Sequence, residues 1–142
     1  PSGVGTTYNA GDSSVMITFR AMGDNDTTTT IGRRAEQAAA EFLEKRGLRV
    51  IARNYRCRGG EIDLVCRDGK VLVFVEVRHR RSRDFGGAAA SITPAKQRRI
   101  VLAARHYLAN ERKSNASCRI DCVLIDGGNI DWIRNALDAQ SD

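Results

Sequence analysis

Two apolar runs joined by an Asp-Gly pair constrain this chain more than anything else in it. They are Gly60-Glu61-Ile62-Asp63-Leu64-Val65-Cys66, then Asp68-Gly69, then Val71-Leu72-Val73-Phe74-Val75-Glu76-Val77-Arg78. Runs this apolar read as buried strands, and Asp-Gly between them is the strongest short-range hairpin signal, because a type I′ turn needs positive φ at both central positions. Carboxylates set into such strands need a positive partner, since an isolated charge is too costly to take out of water. A metal ion is the expected partner.

A two-residue turn at Asp68-Gly69 pairs Arg67 with Lys70. Counting back then sets Val65 opposite Leu72, Asp63 opposite Phe74 and Glu61 opposite Glu76. Side chains alternate across a sheet, so Glu61, Asp63 and Val65 share a face with Leu72, Phe74, Glu76 and Arg78. Asp63 and Glu76 become diagonal neighbours with Cβ atoms about 7–8 Å apart or less, from which both carboxylates reach one divalent ion. Glu61 facing Glu76 needs neutralising, by that ion or by an arginine. A longer loop with a one-residue slip would send Glu76 to the other face instead.

With 142 residues, 42% apolar and 28% charged, the chain has room for one globular domain with a proper core. Its net charge of +6 is unevenly placed: residues 1–30 carry −2, residues 126–142 carry −3, and the segment between carries +11. Arg53, Arg56 and Arg58 precede the first run, Arg78, Arg80, Arg81 and Arg83 follow the second, and Lys96, Arg98 and Arg99 open a later helix. Positive charge around a carboxylate site points to a polyanion, nucleic acid first. The plain alternative is a solvated basic surface.

Residues 1–30 are rich in Gly, Ser, Thr, Asn and Asp, and read as a flexible N-terminal extension. Their one apolar run, Val15-Met16-Ile17-Thr18-Phe19, is too short for a membrane span or a signal peptide. From Ile31 a helical stripe follows in Ala35, Ala38, Ala39, Phe42 and Leu43, stopped by Gly47. Glu36 borders this stripe, where it either points toward the carboxylate pair or serves the helix dipole as a first-turn glutamate.

Residues 48–52 read as an edge or first strand, leading into a basic approach to Gly59-Gly60. Residues 84–90 form a small-residue segment. Thr93-Pro94 caps a helix running to about Arg112 that buries Ile100, Val101, Ala104, Tyr107 and Leu108. On its first turns Lys96 and Arg99 face a common side. Residues 117–125 and 130–133 read as two more strands. The order of elements implies an α/β fold, a central mixed β-sheet flanked by helices, in a domain over 31–136 with a tail at 137–142.

The glutamate helix, the Gly60–Val65 run and the Val73–Arg78 run together resemble the YraN-like family of small bacterial proteins. That family is similar to archaeal Holliday-junction resolvases and the restriction-endonuclease-like superfamily, with its PD-(D/E)xK motif. Lys96 to Arg99, Arg119-Ile120-Asp121 and Trp132-Ile133-Arg134-Asn135-Ala136 agree with it. The resemblance implies a restriction-endonuclease-like fold and a nuclease site, with Asp63 and Glu76 as the acidic pair and Glu36 as the helix glutamate. The backbone carbonyl of Val77 completes the implied ligands. Oxygen donors of this kind suit Mg²⁺ or Mn²⁺.

Arg78 stands where the motif has lysine. Arginine stays charged and cannot act as a base, although its fork can grip a phosphate. The implied catalytic set is therefore Glu36, Asp63, Glu76 and Arg78. Arg58, Arg80, Arg81, Arg83, Lys96 and Arg99 are the expected nucleic-acid contacts.

Other groups offer less. Cys57, Cys66, Cys118 and Cys122 lack the C-x2-C pairs of a zinc site, and Cys66, Cys118 and Cys122 fall in strand-like segments as small core residues. With no secretion signal visible, reduced thiols in a cytoplasmic protein are expected. His79 reads as a rim residue, and Asp121 as the ion-pair partner of Arg119 rather than a metal ligand. Two expectations stand side by side: a metal-dependent nuclease acting on DNA, including branched or structured DNA, and a nucleic-acid-binding or partner-binding module on a nuclease fold with impaired cleavage. Related resolvases are symmetric dimers, but no residue here identifies such an interface.

Overall fold

Consecutive residues of the central hairpin feed two different cores. Leu64, Cys66, Val73 and Val75 pack with Ala35, Ala38, Ala39, Phe42 and Leu43, whereas Val65, Leu72 and Phe74 pack with Ile100, Ala103, Ala104 and Tyr107. Alternation of this kind places one helix on each face of a sheet. The computed structural model describes residues 3–10, 13–20, 28–80, 92–112, 115–126 and 129–137.

The elements are strands β1 (Gly3–Ala10) and β2 (Ser13–Arg20), helix α1 (Thr28–Lys45), strands β3 (Arg49–Cys57), β4 (Gly60–Asp68) and β5 (Val71–Arg80), helix α2 (Pro94–Asn110), and strands β6 (Cys118–Asp126) and β7 (Asn129–Leu137). Strand order is β2-β1-β7-β6-β5-β4-β3. The five strands β3 to β7 form the sheet between the helices. β5 and β6 run parallel, joined through α2, and β3–β4, β4–β5 and β6–β7 are antiparallel, so the sheet is mixed as expected. In the stretch expected as an extension, β1 and β2 pair as an antiparallel hairpin, which meets β7 where Asn9 aligns with Asn129. Residues 137–142 lie outside the described residues, apart from Leu137 at the end of β7.

Both helices form where the apolar stripes place them. Every residue of the α1 stripe is buried, and Gly47 ends it at φ 97°, in the left-handed region that only glycine adopts freely. Thr93 is extended and its Oγ1 accepts the Lys96 N–H at 3.1 Å, with Pro94 as the first helical residue. α2 ends at Asn110 and also buries Ala103, while Val101 and Leu108 are only partly buried. Phe74 lies under it, edge-on to Tyr107 with ring centroids 5.7 Å apart.

Three expectations need correction. The turn centres on Gly69-Lys70: Asp68 pairs with Val71, and Gly69 has φ 61° while Lys70 is not among the residues of positive φ. That is the type II′ pattern, glycine first, and it fits strand twist as well as type I′ does. The register therefore moves by two residues, Arg67 pairing with Leu72 and Val65 with Phe74. Second, Arg53 and Arg56 belong to β3 itself rather than to an approach before it, and β3 is an edge strand whose exposed charges discourage further pairing. Third, β7 extends to Leu137, well past residue 133.

Among the described residues no helix is long and apolar enough to cross a membrane. Asp121, wholly buried on β6, accepts hydrogen bonds from Arg119 Nε at 3.0 Å, Trp132 Nε1 at 2.9 Å and the Asn135 N–H at 2.8 Å. It is the structural ion-pair partner expected, tying β7 to β6.

Candidate active site

Because the register shift is two residues, Val65 still shares a face with Leu72 and Phe74 as read from the sequence, and only the pairings change there. Continuing the observed ladder one step beyond Leu64–Val75 sets Asp63 directly across from Glu76 instead of diagonal to it. The ladder stops at that step. In its place Asp63 Oδ2 accepts the backbone N–H of Val77 at 2.7 Å, so a side chain takes over where two strands part.

The backbone around Asp63 is irregular for a second reason. Ile62 and Val65 both join the α2 cluster although they are three residues apart, while Leu64 joins the α1 cluster. A regular pleat would separate same-face residues by two or four, so the alternation breaks between Ile62 and Leu64, at Asp63. Across from this break, Asn54 has φ 52°, between Arg53 and Tyr55, whose partners are Leu64 and Ile62. Irregular steps of this type re-aim side chains beside functional sites. The sequence reading missed Asn54, and its one signal was that asparagine tolerates the left-handed region better than most residues.

Glu76 is the buried member of the site. Its side chain shares the α2 face of β5 with Leu72 and Phe74, and it is 2% exposed. Burial first, and the nearby Asp63 charge second, push its carboxyl up to about 8, while Lys96 pulls the other way. Its Oε1 is buried without a hydrogen-bond partner. Its Oε2 has Lys96 Nζ at 3.3 Å and Arg78 Nη1 at 3.8 Å.

Glu36 approaches from α1. Burial, then the charge of Asp63, raise its carboxyl above the usual range, against a hydrogen bond from Asn54 and the charges of Arg53 and Arg56. Glu36 thus feels Asp63 electrostatically. Among the described residues, however, no three His, Cys, Asp or Glu side chains stand close enough to hold an ion together. What the structure brings together is the pair Asp63 and Glu76. Val77 enters the site through its N–H, which Asp63 Oδ2 accepts.

The acidic pair fits a hard divalent cation on its own chemistry. Glu76 resists ionising, first through burial and second through the nearby Asp63 charge, and one of its buried oxygens lacks a donor. A cation would relieve both conditions.

Glu61 does not face Glu76. It sits opposite Arg56 on β3 and has Arg56 Nε at 3.8 Å, Arg99 Nη2 at 3.6 Å and Lys96 Nζ at 3.9 Å. The neutralising charge it needed comes from these three. Of the expected nucleic-acid contacts, Arg58 is exposed beside the β3–β4 turn, Arg99 is exposed on α2, and Lys96 is turned inward to the carboxylates. Arg80 ends β5, and Arg81 and Arg83 lie outside the described residues. Cys66 and Cys122 are buried with thiols pushed up to about 12, chiefly by burial, as core residues are.

This arrangement falls within a recognised sequence family. The model of Uncharacterised protein family UPF0102 matches residues 35–125, a stretch that runs from α1 through β6. The chain belongs to the UPF0102 family. A UPF0102 protein of Dechloromonas aromatica is 64% identical over 116 residues, covering 82% of this chain and 95% of the relative. Another, from Cupriavidus necator, is 51% identical over 128 residues, covering 89% of this chain and 96% of its own. A third, from Nitrosomonas europaea, is 56% identical over 110 residues, covering 75% and 92%. The UPF0102 match takes in Glu36, Asp63, Glu76, Arg78, Lys96 and Arg99 alike.

Proposed function

We propose that this UPF0102 protein is a metal-dependent nuclease that hydrolyses phosphodiester bonds in DNA, including branched or structured DNA, on a restriction-endonuclease-like sheet in the cytoplasm. The observation that carries the reading is the convergence of Asp63 with a buried Glu76 whose Oε1 has no donor, where β4 and β5 part. Carboxylates are not kept in that state by packing alone, because a buried unpaired oxygen costs about 1–3 kcal/mol.

Asp63 and Glu76 would hold Mg²⁺ or Mn²⁺, with the Val77 carbonyl and Glu36 on the periphery and water filling the other positions. Such an ion supplies a water of lowered pKa and positive charge on the phosphoryl oxygen. Around it the chain's own residues set the substrate. Arg78 and Lys96 place positive charge beside Glu76, and Arg99 and Arg58 offer exposed positive charge for the flanking phosphates. Water would add to phosphorus and give up one proton to solvent, the P–O bond to the leaving sugar would break, and the leaving oxygen would take a proton from solvent to become a hydroxyl.

The test is incubation with linear, nicked and four-way-junction DNA in Mg²⁺, Mn²⁺ or EDTA. Cleavage that needs metal and disappears in Asp63→Ala and Glu76→Ala is the expected result. Tight binding without cleavage, unaffected by those substitutions, would sink the proposal.

Arg78 favours a second reading, a DNA-binding or partner-binding module whose cleavage is impaired, because arginine cannot take up a proton from water as lysine can. On that reading Arg78→Lys restores cutting to an inert protein.

A further inference from the structure

In the PD-(D/E)xK pattern the cation stands two residues after the glutamate, the position of Arg78. The fold brings another cation to the same carboxylate from a different element. Lys96 Nζ is 3.3 Å from Glu76 Oε2, nearer than Arg78 Nη1 at 3.8 Å. We propose that Lys96, not Arg78, is the cation that meets the scissile phosphate, holding a non-bridging oxygen against the Asp63–Glu76 pair. This rests on the nuclease reading above.

Three features build Lys96 into place. The first turn of α2 is anchored from both sides: Thr93 Oγ1 accepts the Lys96 N–H, Gln97 Nε2 donates to the Ile92 carbonyl at 3.0 Å, and the Ile92 side chain is buried. The helix also lies unusually close to β4. A Cβ on Gly60 would stand 2.4 Å from the Arg99 carbonyl oxygen, so only glycine there admits α2 to this depth. That depth carries the Lys96 ammonium over Glu76.

The third feature is charge accounting around Glu61. Lys96 spans Glu76 and Glu61, and Glu61 keeps Arg56 and Arg99 when Lys96 turns to a phosphate. The ammonium has three donors, enough to keep Glu76 and add a phosphate oxygen. It acts here as a compact point charge.

Two readouts test this. In EDTA, where nothing is cut, the ¹H–¹⁵N signal of the Lys96 ammonium, assigned by its loss in Lys96→Arg, should move when a DNA duplex is added. Lys96→Gln should weaken duplex binding about tenfold, while Lys96→Arg stays within about threefold of wild type, as expected for one phosphate contact. With Mn²⁺, Lys96→Gln should lower kcat about 100-fold and raise KM about tenfold, in step with the lost ground-state contact, and Arg78→Gln should lower kcat less than about tenfold.

An unmoved signal, wild-type binding by Lys96→Gln, or a larger loss from Arg78→Gln than from Lys96→Gln would overturn the assignment. If the wild type binds DNA but cuts none with any metal, the nuclease reading falls, and the signal and binding results alone decide Lys96. If it neither binds nor cuts, both fall.

Discussion

Asp63 Oδ2 accepts the Val77 N–H at 2.7 Å, Asp63 lying one residue and Val77 two residues beyond the last paired step of β4 and β5. A side chain thereby satisfies a backbone donor that strand pairing would otherwise serve, and its own direction is fixed in return. The two functions of Asp63 separate on substitution. Asp63→Asn keeps an oxygen for Val77 and removes the charge, so its unfolding free energy in urea should stay within about 1 kcal/mol of wild type, whereas Asp63→Ala orphans the N–H at about 1–3 kcal/mol. Both should abolish metal-dependent cleavage. Equal stability of the two variants would show that this hydrogen bond does not hold the strands.

Glu76 makes stability fall with pH in the absence of metal. Its folded carboxyl titrates at about 8 against an ordinary value of 4.5, so over that interval the native state keeps a proton the unfolded chain has released. The native state binds more protons, and stability declines as pH rises. In EDTA, Tm should drop more between pH 5.5 and 8.5 for wild type than for Glu76→Gln, and Mg²⁺ should shrink the difference by favouring the ionised form. Parallel pH profiles for the two proteins would show that Glu76 is not held protonated.

Much of this was legible because parity is robust. The period-2 pattern assigned Val65, Leu72, Phe74 and Glu76 to one face, and a two-residue register shift left that face unchanged, although the pleat breaks at Asp63. The register itself was not legible: Asp68-Gly69 and Gly69-Lys70 both satisfy a two-residue turn, and only the backbone of Lys70 distinguishes them. Lys96 reads from the sequence only as a nucleic-acid contact, because its nearness to Glu76 depends on how deeply α2 sits, which Gly60 sets from another element. Glu36 was expected among the ligands from resemblance. Its helix and its partial burial follow the stripe, but a closed three-carboxylate cluster is not present among the described residues.

Asp121 should matter for folding and not for metal. It receives Arg119, Trp132 and Asn135, and Arg119 also reaches Asp68 Oδ2 at 3.1 Å, linking the β4–β5 turn to β6. Asp121→Ala leaves a half-buried guanidinium with only Asp68 and takes the acceptor from two N–H groups, a loss of about 1–3 kcal/mol for unsatisfied polar groups. Urea unfolding of Asp121→Ala checks this, alongside Mn²⁺ binding by the protein that remains folded. Unchanged stability with weakened Mn²⁺ binding would move Asp121 from scaffold to ligand.

Gly60→Ala tests whether helix depth and site chemistry are coupled. The new methyl would meet the Arg99 carbonyl at 2.4 Å and Ala103 at 3.1 Å, and a backbone carbonyl cannot rotate out of the way. α2 must therefore rise off β4, at a cost of about 1–3 kcal/mol for overpacking. Because Lys96 rides on the first turn of α2, the same movement should lengthen its contact with Glu76 and reduce cleavage, with Asp63 and Glu76 untouched. Measuring urea stability, cleavage rate and the Lys96 ammonium signal in one variant gives three coupled readings. Loss of stability with the signal and the rate both unchanged would mean that Lys96 is positioned by its cap alone and not by the approach of α2 to Gly60.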